Sequence, residues 1–127
     1  MARYFRKIFK DEKNIPPIFY ATPYIYSLDK PFRGASYVYA EPNLDFGGKD
    51  WKKFTNNYET SKSNFLASFS HFTFAMTAGY LMVTDLQGVI KGGSYFLSDP
   101  AILCADSESF SEETNQGQKG FYAFFSE

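Results

Sequence analysis

The sequence predicts an α+β fold: a strand-rich first part, then a part with a short sheet, a helix from Ser61 to Met76 and a final helix. Three observations predict it. Up to Pro42, runs of β-branched and aromatic residues are bounded by Pro23, Pro31 and Gly34, the pattern of short strands and turns. Phe65, Phe69, Phe72 and Met76 then recur at offsets of four, seven and eleven, the pattern of one buried helical face. The 15 Phe and 10 Tyr among 127 residues supply the area for one aromatic core in a chain short for two domains. With 44% apolar residues, intrinsic disorder is not expected.

In chain order, Tyr4, Phe5, Ile8 and Phe9 share one helical face, with Arg3, Arg6, Lys7 and Lys10 on the rest, so a short amphipathic helix opens the chain and "NIPP" ends it. Ile18 to Leu28 and Ser36 to Glu41 read as strands. A loop with Gly47 and Gly48 leads to "WKKFTNN", whose paired amides Asn56 and Asn57 suit a turn. His71 lies off the stripe of the Ser61 to Met76 helix, and Gly79 breaks the chain before a strand from Tyr80 to Thr84. Tyr95 to Leu97 is a second short apolar run before Ser98-Asp99-Pro100. The polar stretch "ADSESFSEETNQGQKG" reads as an exposed loop, and Phe121, Phe124 and Phe125 as a last helix. Neither an internal repeat nor a linker marks a domain boundary.

A formal charge of -1 provides no broad field to draw in nucleic acid or an anionic membrane; basic clusters such as "DWKKF" are left for local contacts. A lone Cys104 cannot close an internal disulfide, and charges interrupt every apolar run of the N-terminus, so neither signal peptide nor membrane span is expected there. The expected setting is reducing and cytoplasmic, without nucleic acid and without membrane insertion.

The chemistry concentrates in "LMVTDLQGV", where an apolar strand stops on an acid, an amide and a glycine. A buried strand fixes where its last residue points, so Asp85 is held rigidly at the exit. Gln87 lies on the same side two residues on, Gly88 permits close backbone approach, and Asp99 follows a run that can return to the same edge. Two carboxylates and an amide oxygen suit a hard cation such as magnesium, which keeps waters and shares phosphate oxygens. The same residues also suit an ordinary solvated turn. Lys53 reads equally as a surface lysine, Glu41 as a strand-end acid, and His71 as a hydrogen-bonded residue at the edge of an aromatic helix.

The string "SFSHFTFAMTAGYLMVTDLQGV", followed by "YFLSDPAI" and "TNQGQKGFYAFF", resembles the C-terminal lobe of the alpha-kinases, atypical serine/threonine protein kinases. "YVYAEP" and "WKKFTNN" stand where that family has its adenine-contacting strand and its lysine-plus-asparagine motif. The resemblance runs from about Tyr4 to Glu127 and implies one partial domain, 1–58 the end of the first lobe with the hinge and 59–127 the second lobe. It implies a transferase moving the terminal phosphate of ATP to Ser or Thr of a protein substrate, with magnesium as cofactor. By the resemblance, Asp85 is the catalytic aspartate that orients or deprotonates the substrate hydroxyl, with Lys53 and Asn57 supporting it. Gln87 and Asp99 would hold magnesium, and Glu41 the adenine. Gly117 and Gly120 resemble the glycine-rich loop for peptide substrate, and His71 one ligand of a structural zinc.

This sequence departs from the family's pattern in ways that imply truncation at both ends. The family's phosphate-binding lysine is expected before Met1, and its remaining zinc ligands after Glu127; Cys104 lies in the wrong segment to replace them. Ser111, Glu112, Glu113 and Thr114 stand where glycines are usual, and an insertion between Gly88 and Asp99 carries Gly92 and Gly93. Zinc is therefore expected to be absent, with Phe121, Phe124 and Phe125 exposed unless a partner covers them. The alternative is a non-catalytic alpha-kinase-like module, a pseudokinase serving as a structural or interaction part of a larger assembly.

Overall fold

The computed structural model describes residues 1–9, 15–45, 47–55, 64–106, 108–110 and 114–126. Helix α1 (Ala2–Ile8) is followed by β1 (Ile18–Tyr20), β2 (Tyr24–Phe32), β3 (Ala35–Ala40) and β4 (Lys52–Lys53). Then come α2 (Asn64–Met76), β5 (Leu81–Thr84), β6 (Gln87–Lys91), β7 (Ser94–Ser98), β8 (Ala101–Cys104) and α3 (Gly117–Phe125). Helix and strand are segregated as an α+β fold requires. The strands form a four-stranded sheet in the order β1-β7-β6-β4, with β1 parallel to β7, and two two-stranded sheets, β2-β3 and β5-β8.

Two of these pairings rest on turns that the sequence chemistry allows. Strands β6 and β7 are joined by Gly92-Gly93, at φ 55° and 75°, and β2 and β3 by Arg33-Gly34, at φ 50° and 82°. Two consecutive positive φ values match the right-handed twist of an antiparallel pair, and glycine adopts them without steric cost. The glycines of the expected insertion therefore form a hairpin turn within the sheet. Gly88 makes the closest approach in that sheet: at φ 150°, opposite Leu97, a Cβ would fall onto the carbonyl oxygen of Phe96.

The core forms where α1 and α2 lie against this framework. Phe5 meets Phe69 and Phe72 edge-on at centroid distances of 5.4 and 5.0 Å, and Leu66, Leu86 and Leu97 close the cluster. The predicted stripe of α2 holds at Phe65, Phe69 and Phe72 but ends before Met76, which is 44% exposed at the helix terminus. Residues 61–63, the expected start of that helix, lie outside the described residues. Helix α2 is keyed to β5 by a buried hydroxyl: Thr73 Oγ1 accepts the Val83 N–H at 2.9 Å and donates to the Ser70 carbonyl at 2.7 Å.

A smaller cluster joins Met82 of β5, Leu103 of β8 and Phe121 of α3, with Phe74 and Phe124 packed on it. The expected exposure of the last three Phe is thus corrected: Phe121 is buried and Phe124 packs beside it, while Phe125 stays exposed. Strand β8 supplies the Leu103 surface that Phe121 needs. The stretch expected as one loop from 105 to 120 ends in helix, with α3 starting at Gly117. The expected strand from Ile18 to Leu28 is likewise two strands, interrupted between Tyr20 and Tyr24. By contrast, the β2-β3 hairpin pairs with itself and is exposed on both faces, Leu28 alone being half-buried. Among the described residues no helix is long and apolar enough to cross a membrane.

Candidate functional site

The site is built where β5 ends. Asp85 leaves the strand at φ 53°, a left-handed conformation that an acid tolerates better than most residues. The reversal buries Leu86 in the core and restarts the chain as β6 at Gln87, so the expected turn is only two residues long. Leu86 is then locked on both backbone groups: its N–H donates to Thr55 Oγ1 at 2.8 Å, and its carbonyl accepts from Phe54 and Thr55 at 2.8 and 3.1 Å. This clamp explains why so short a strand as β4 holds its register, Lys52 opposite Gly88 and Lys53 opposite Gln87.

That register brings the lysine to the acid. Lys53 Nζ lies 2.6 Å from Asp85 Oδ1; the Lys53 side chain is 54% exposed and that of Asp85 only 16%. Oδ1 is buried, and the ammonium is its partner among the described residues. Gln87 Nε2 reaches the other oxygen, Oδ2, at 3.4 Å and the Asp99 carbonyl at 3.3 Å. Gln87 therefore bridges two chain ends, the exit of β5 and the exit of β7, since Gln87 and Ser98 are cross-strand partners. Asp99, like Asp85, turns its chain at a positive φ, 49°, and its residue is exposed.

Glu41 joins the group from the other side. Its Oε1 accepts a short hydrogen bond from the Ser98 hydroxyl and its Oε2 one from the Tyr39 hydroxyl at 2.8 Å. The hydrogen bond to Glu41, with desolvation and the charges of Glu41 and Asp99 behind it, raises the Tyr39 phenol above its ordinary pKa. Beyond Glu41, the chain to Trp51 is held by Asp45, whose carboxylate accepts the Asp50 and Trp51 N–H groups at 2.9 Å each. Desolvation alone would raise the Asp45 carboxyl, but the N–H donors of Trp51, Asp50, Lys49 and Gly47 outweigh it and hold the pKa low.

Of the residues singled out from the sequence, Glu41, Lys53, Asp85, Gln87 and Asp99 come together at one edge of the main sheet. Asn57 lies outside the described residues, as do Ser111, Glu112 and Glu113. Gly117 and Gly120 are helix residues rather than loop residues. Gly117 opens α3, its N–H on Asn115 Oδ1 at 3.0 Å, and Gly120 is buried against Leu103. His71 is exposed on α2, its ring edge-on to Phe125 at 5.6 Å. Among the described residues no three His, Cys, Asp or Glu side chains are grouped to hold a metal, and Cys104 is buried in β8, so the described residues do not fit a structural zinc. At Asp85, Gln87 and Asp99 the contacts run through the Gln87 amide nitrogen, which donates to Asp85 Oδ2 and to the Asp99 backbone carbonyl; the residue types, two carboxylates and one amide, are those a hard cation such as magnesium takes.

Sequence reasoning missed Thr55, Ser98 and Asn115. Asn115 is buried and accepts from the Cys104 and Gly117 backbones while donating to the Asp106 and Ser109 carbonyls. Its position two residues before a helix start is the one local signal that could have found it.

The same arrangement of helices and strands occurs in solved kinase domains. A novel alpha kinase from Entamoeba histolytica superposes with a TM-score of 0.79 over 98% of this chain and 53% of that one, at 23% identity, a likeness of fold. The alpha-kinase domain of myosin heavy chain kinase A, in complex with ADP, gives 0.75 at 26% identity, over 98% of this chain and 48% of that one. The sequence pattern of the alpha-kinase family matches residues 1–127, and the chain belongs to that family. Myosin heavy chain kinase C of Dictyostelium discoideum is 33% identical over 119 residues, which are 91% of this chain and 14% of that protein. Alpha-protein kinase 1 of Homo sapiens is 32% identical over 125 residues, 90% of this chain and 10% of that protein. The chain thus spans about half of the solved domains and a small part of the whole relatives.

Proposed function

We propose that this chain is a part of a protein serine/threonine kinase domain that transfers the terminal phosphate of ATP to a Ser or Thr hydroxyl of a protein substrate. The observation that carries the reading is the cluster at the strand exits: Asp85 paired with Lys53 and bridged by Gln87 to Asp99. Its support is a relative's domain bound to ATP, the inactive alpha-kinase domain of myosin heavy chain kinase A. Phosphoryl transfer asks a protein chiefly for positioning and charge stabilisation. Asp85 orients the incoming hydroxyl and takes its proton on a carboxylate oxygen. The hydroxyl oxygen bonds to the terminal phosphorus, the bond to the bridging oxygen breaks, and ADP leaves. Lys53 supplies a positive charge beside Asp85 and fixes its rotamer, with Asn57 in the same supporting role. Gln87 and Asp99 would hold magnesium, which when bound would neutralise phosphate charge. Glu41 would contact the adenine. Gly117 and Gly120 are proposed to shape the peptide-binding side through the start of α3.

Within this reading, 1–58 is the end of the first lobe with the hinge and 59–127 the second lobe; α1 and β1 cross that division to pack on α2 and β7. The protein works in the cytoplasm. Its zinc content is zero in the isolated chain, and elemental analysis finding one zinc per molecule would refute that. The function itself is tested on the full product of the coding gene, with ATP labelled in its terminal phosphate and phosphoserine and phosphothreonine as readout. Asp85→Asn keeps size and tolerance of a positive φ, and should lower transfer by about 100-fold or more. Undiminished transfer refutes the assignment of Asp85. A folded wild-type product that transfers nothing returns the chain to the alternative, a non-catalytic part of a larger assembly.

A further inference from the structure

Among the described residues, Glu41 stands at the exit of a hairpin that pairs only with itself and is exposed on both faces. Within these residues, packing of the hairpin does little to fix where Glu41 lies relative to the main sheet. Two polar contacts from the β6-β7 hairpin do so. At one end the Ser98 hydroxyl donates to Glu41 Oε1; at the other, Lys91 Nζ donates to the Leu44 carbonyl at 2.6 Å. They differ in weight. Lys91 is exposed and its contact is open to water, whereas Ser98 is 2% exposed and its acceptor is a carboxylate, which makes the stronger bond.

We propose that Ser98 is a positioning residue for the nucleotide: its hydroxyl latches Glu41 at a set distance from Asp99, the next residue in the chain. The inference rests on the kinase reading given above. A ligand gripped at its base by Glu41 and at its phosphates by Asp99 benefits from both grips only when their spacing matches its own length. Ser98 touches neither end of such a ligand. It joins the strand that carries one grip to the side chain that makes the other, and so removes the cost of aligning them on binding.

The test compares KM for ATP and kcat in the full gene product for wild type, Ser98→Ala, Ser98→Thr, Glu41→Ala and the double variant Glu41→Ala/Ser98→Ala. Loss of one part-buried hydrogen bond to a charged group should raise KM for ATP about tenfold in Ser98→Ala and leave kcat within about threefold. Ser98→Thr, which keeps the hydroxyl, should restore KM. In the Glu41→Ala background Ser98→Ala should add nothing, because the hydroxyl acts through that carboxylate. A merely structural role would move kcat and thermal midpoint together, and its effect would persist without Glu41. An unchanged KM in Ser98→Ala, or effects of the two variants that simply multiply, overturns the latch while leaving the kinase reading intact. An inactive wild type overturns both.

Discussion

Asp85 and Asp99 share a backbone conformation as well as a side chain, and both pass through the left-handed region, at φ 53° and 49°. Such a position costs a non-glycine residue about 1–2 kcal/mol, less for an acid, and it sharply redirects the chain. The two reversals place both residues at strand exits that Gln87 bridges. The Lys53–Asp85 pair belongs to the same scale, and exposure decides its meaning. With Lys53 54% exposed, the pair contributes about 1 kcal/mol or less to stability. Lys53→Met also leaves the buried Asp85 Oδ1 without its partner, so it should lower stability by about 1–3 kcal/mol and reduce kcat by about tenfold or more. A large stability loss with unchanged kcat would make the pair structural instead. Gly88 is the opposite case. A methyl there meets the Phe96 carbonyl oxygen at φ 150°, so Gly88→Ala should cost about 3 kcal/mol or more, read as a collapse of the denaturation midpoint. A variant as stable as wild type would mean that β6 and β7 can separate at this point without loss.

At the scale of elements, the site depends on connections more than on long strands. Strand β4 is two residues long and takes its register from the Leu86–Thr55 clamp. The segment from Glu41 to Trp51 is held by the Asp45 carboxylate on backbone N–H groups. Folding depresses the Asp45 pKa, so its contribution is fully present above the unfolded value, about 3.9, and is lost as pH falls through the lower folded value. Trp51 is the only tryptophan of the sequence and donates to that carboxylate, so its fluorescence reports the loop. Its emission should change in one step as pH falls below the ordinary carboxylate range. Asp45→Asn should already sit at the acid value at neutral pH and show no step. An identical titration in that variant would assign the change to another group.

Across the whole molecule, stability is unevenly spread. Strands β6 and β7 lie inside the four-stranded sheet with Val89 and Leu97 fully buried, whereas β2 and β3 form an isolated pair exposing Ile25 at 76% and Tyr37 at 66%. A two-stranded hairpin without a covered face is marginal in water. Hydrogen exchange should therefore be fastest, among the strands, in β2 and β3, with protection factors about 100-fold or more below those of β6 and β7. Equal protection would show that the hairpin is covered in solution, and light scattering on the same sample would then reveal an associated species.

Local periodicity and turn chemistry determined much of this protein from the sequence alone. The spacing of Phe5, Phe69 and Phe72 marked the buried helix faces, and the pattern of Asp85, Gln87 and Gly88 after an apolar strand marked the candidate site. The same reading placed Asp99 at the edge of that site, and the resemblance to alpha-kinases added roles for Glu41 and Lys53, which the fold brings beside it. These were legible because each is a property of a few consecutive residues. Strands β4, β6 and β8 were not, being too short or too rich in glycine to carry a period of two. Met76 broke the stripe because a helix end is open to water whatever its spacing implies. Phe121 is buried because Met82 and Leu103 come to it from two other strands. Above all, the hydroxyl of Ser98 reaches Glu41 across 57 positions of chain, and no local pattern encodes that. The residue types that do chemistry were written into short stretches; which of them meet was decided by strand register, a relation between segments that exists only once the chain has folded.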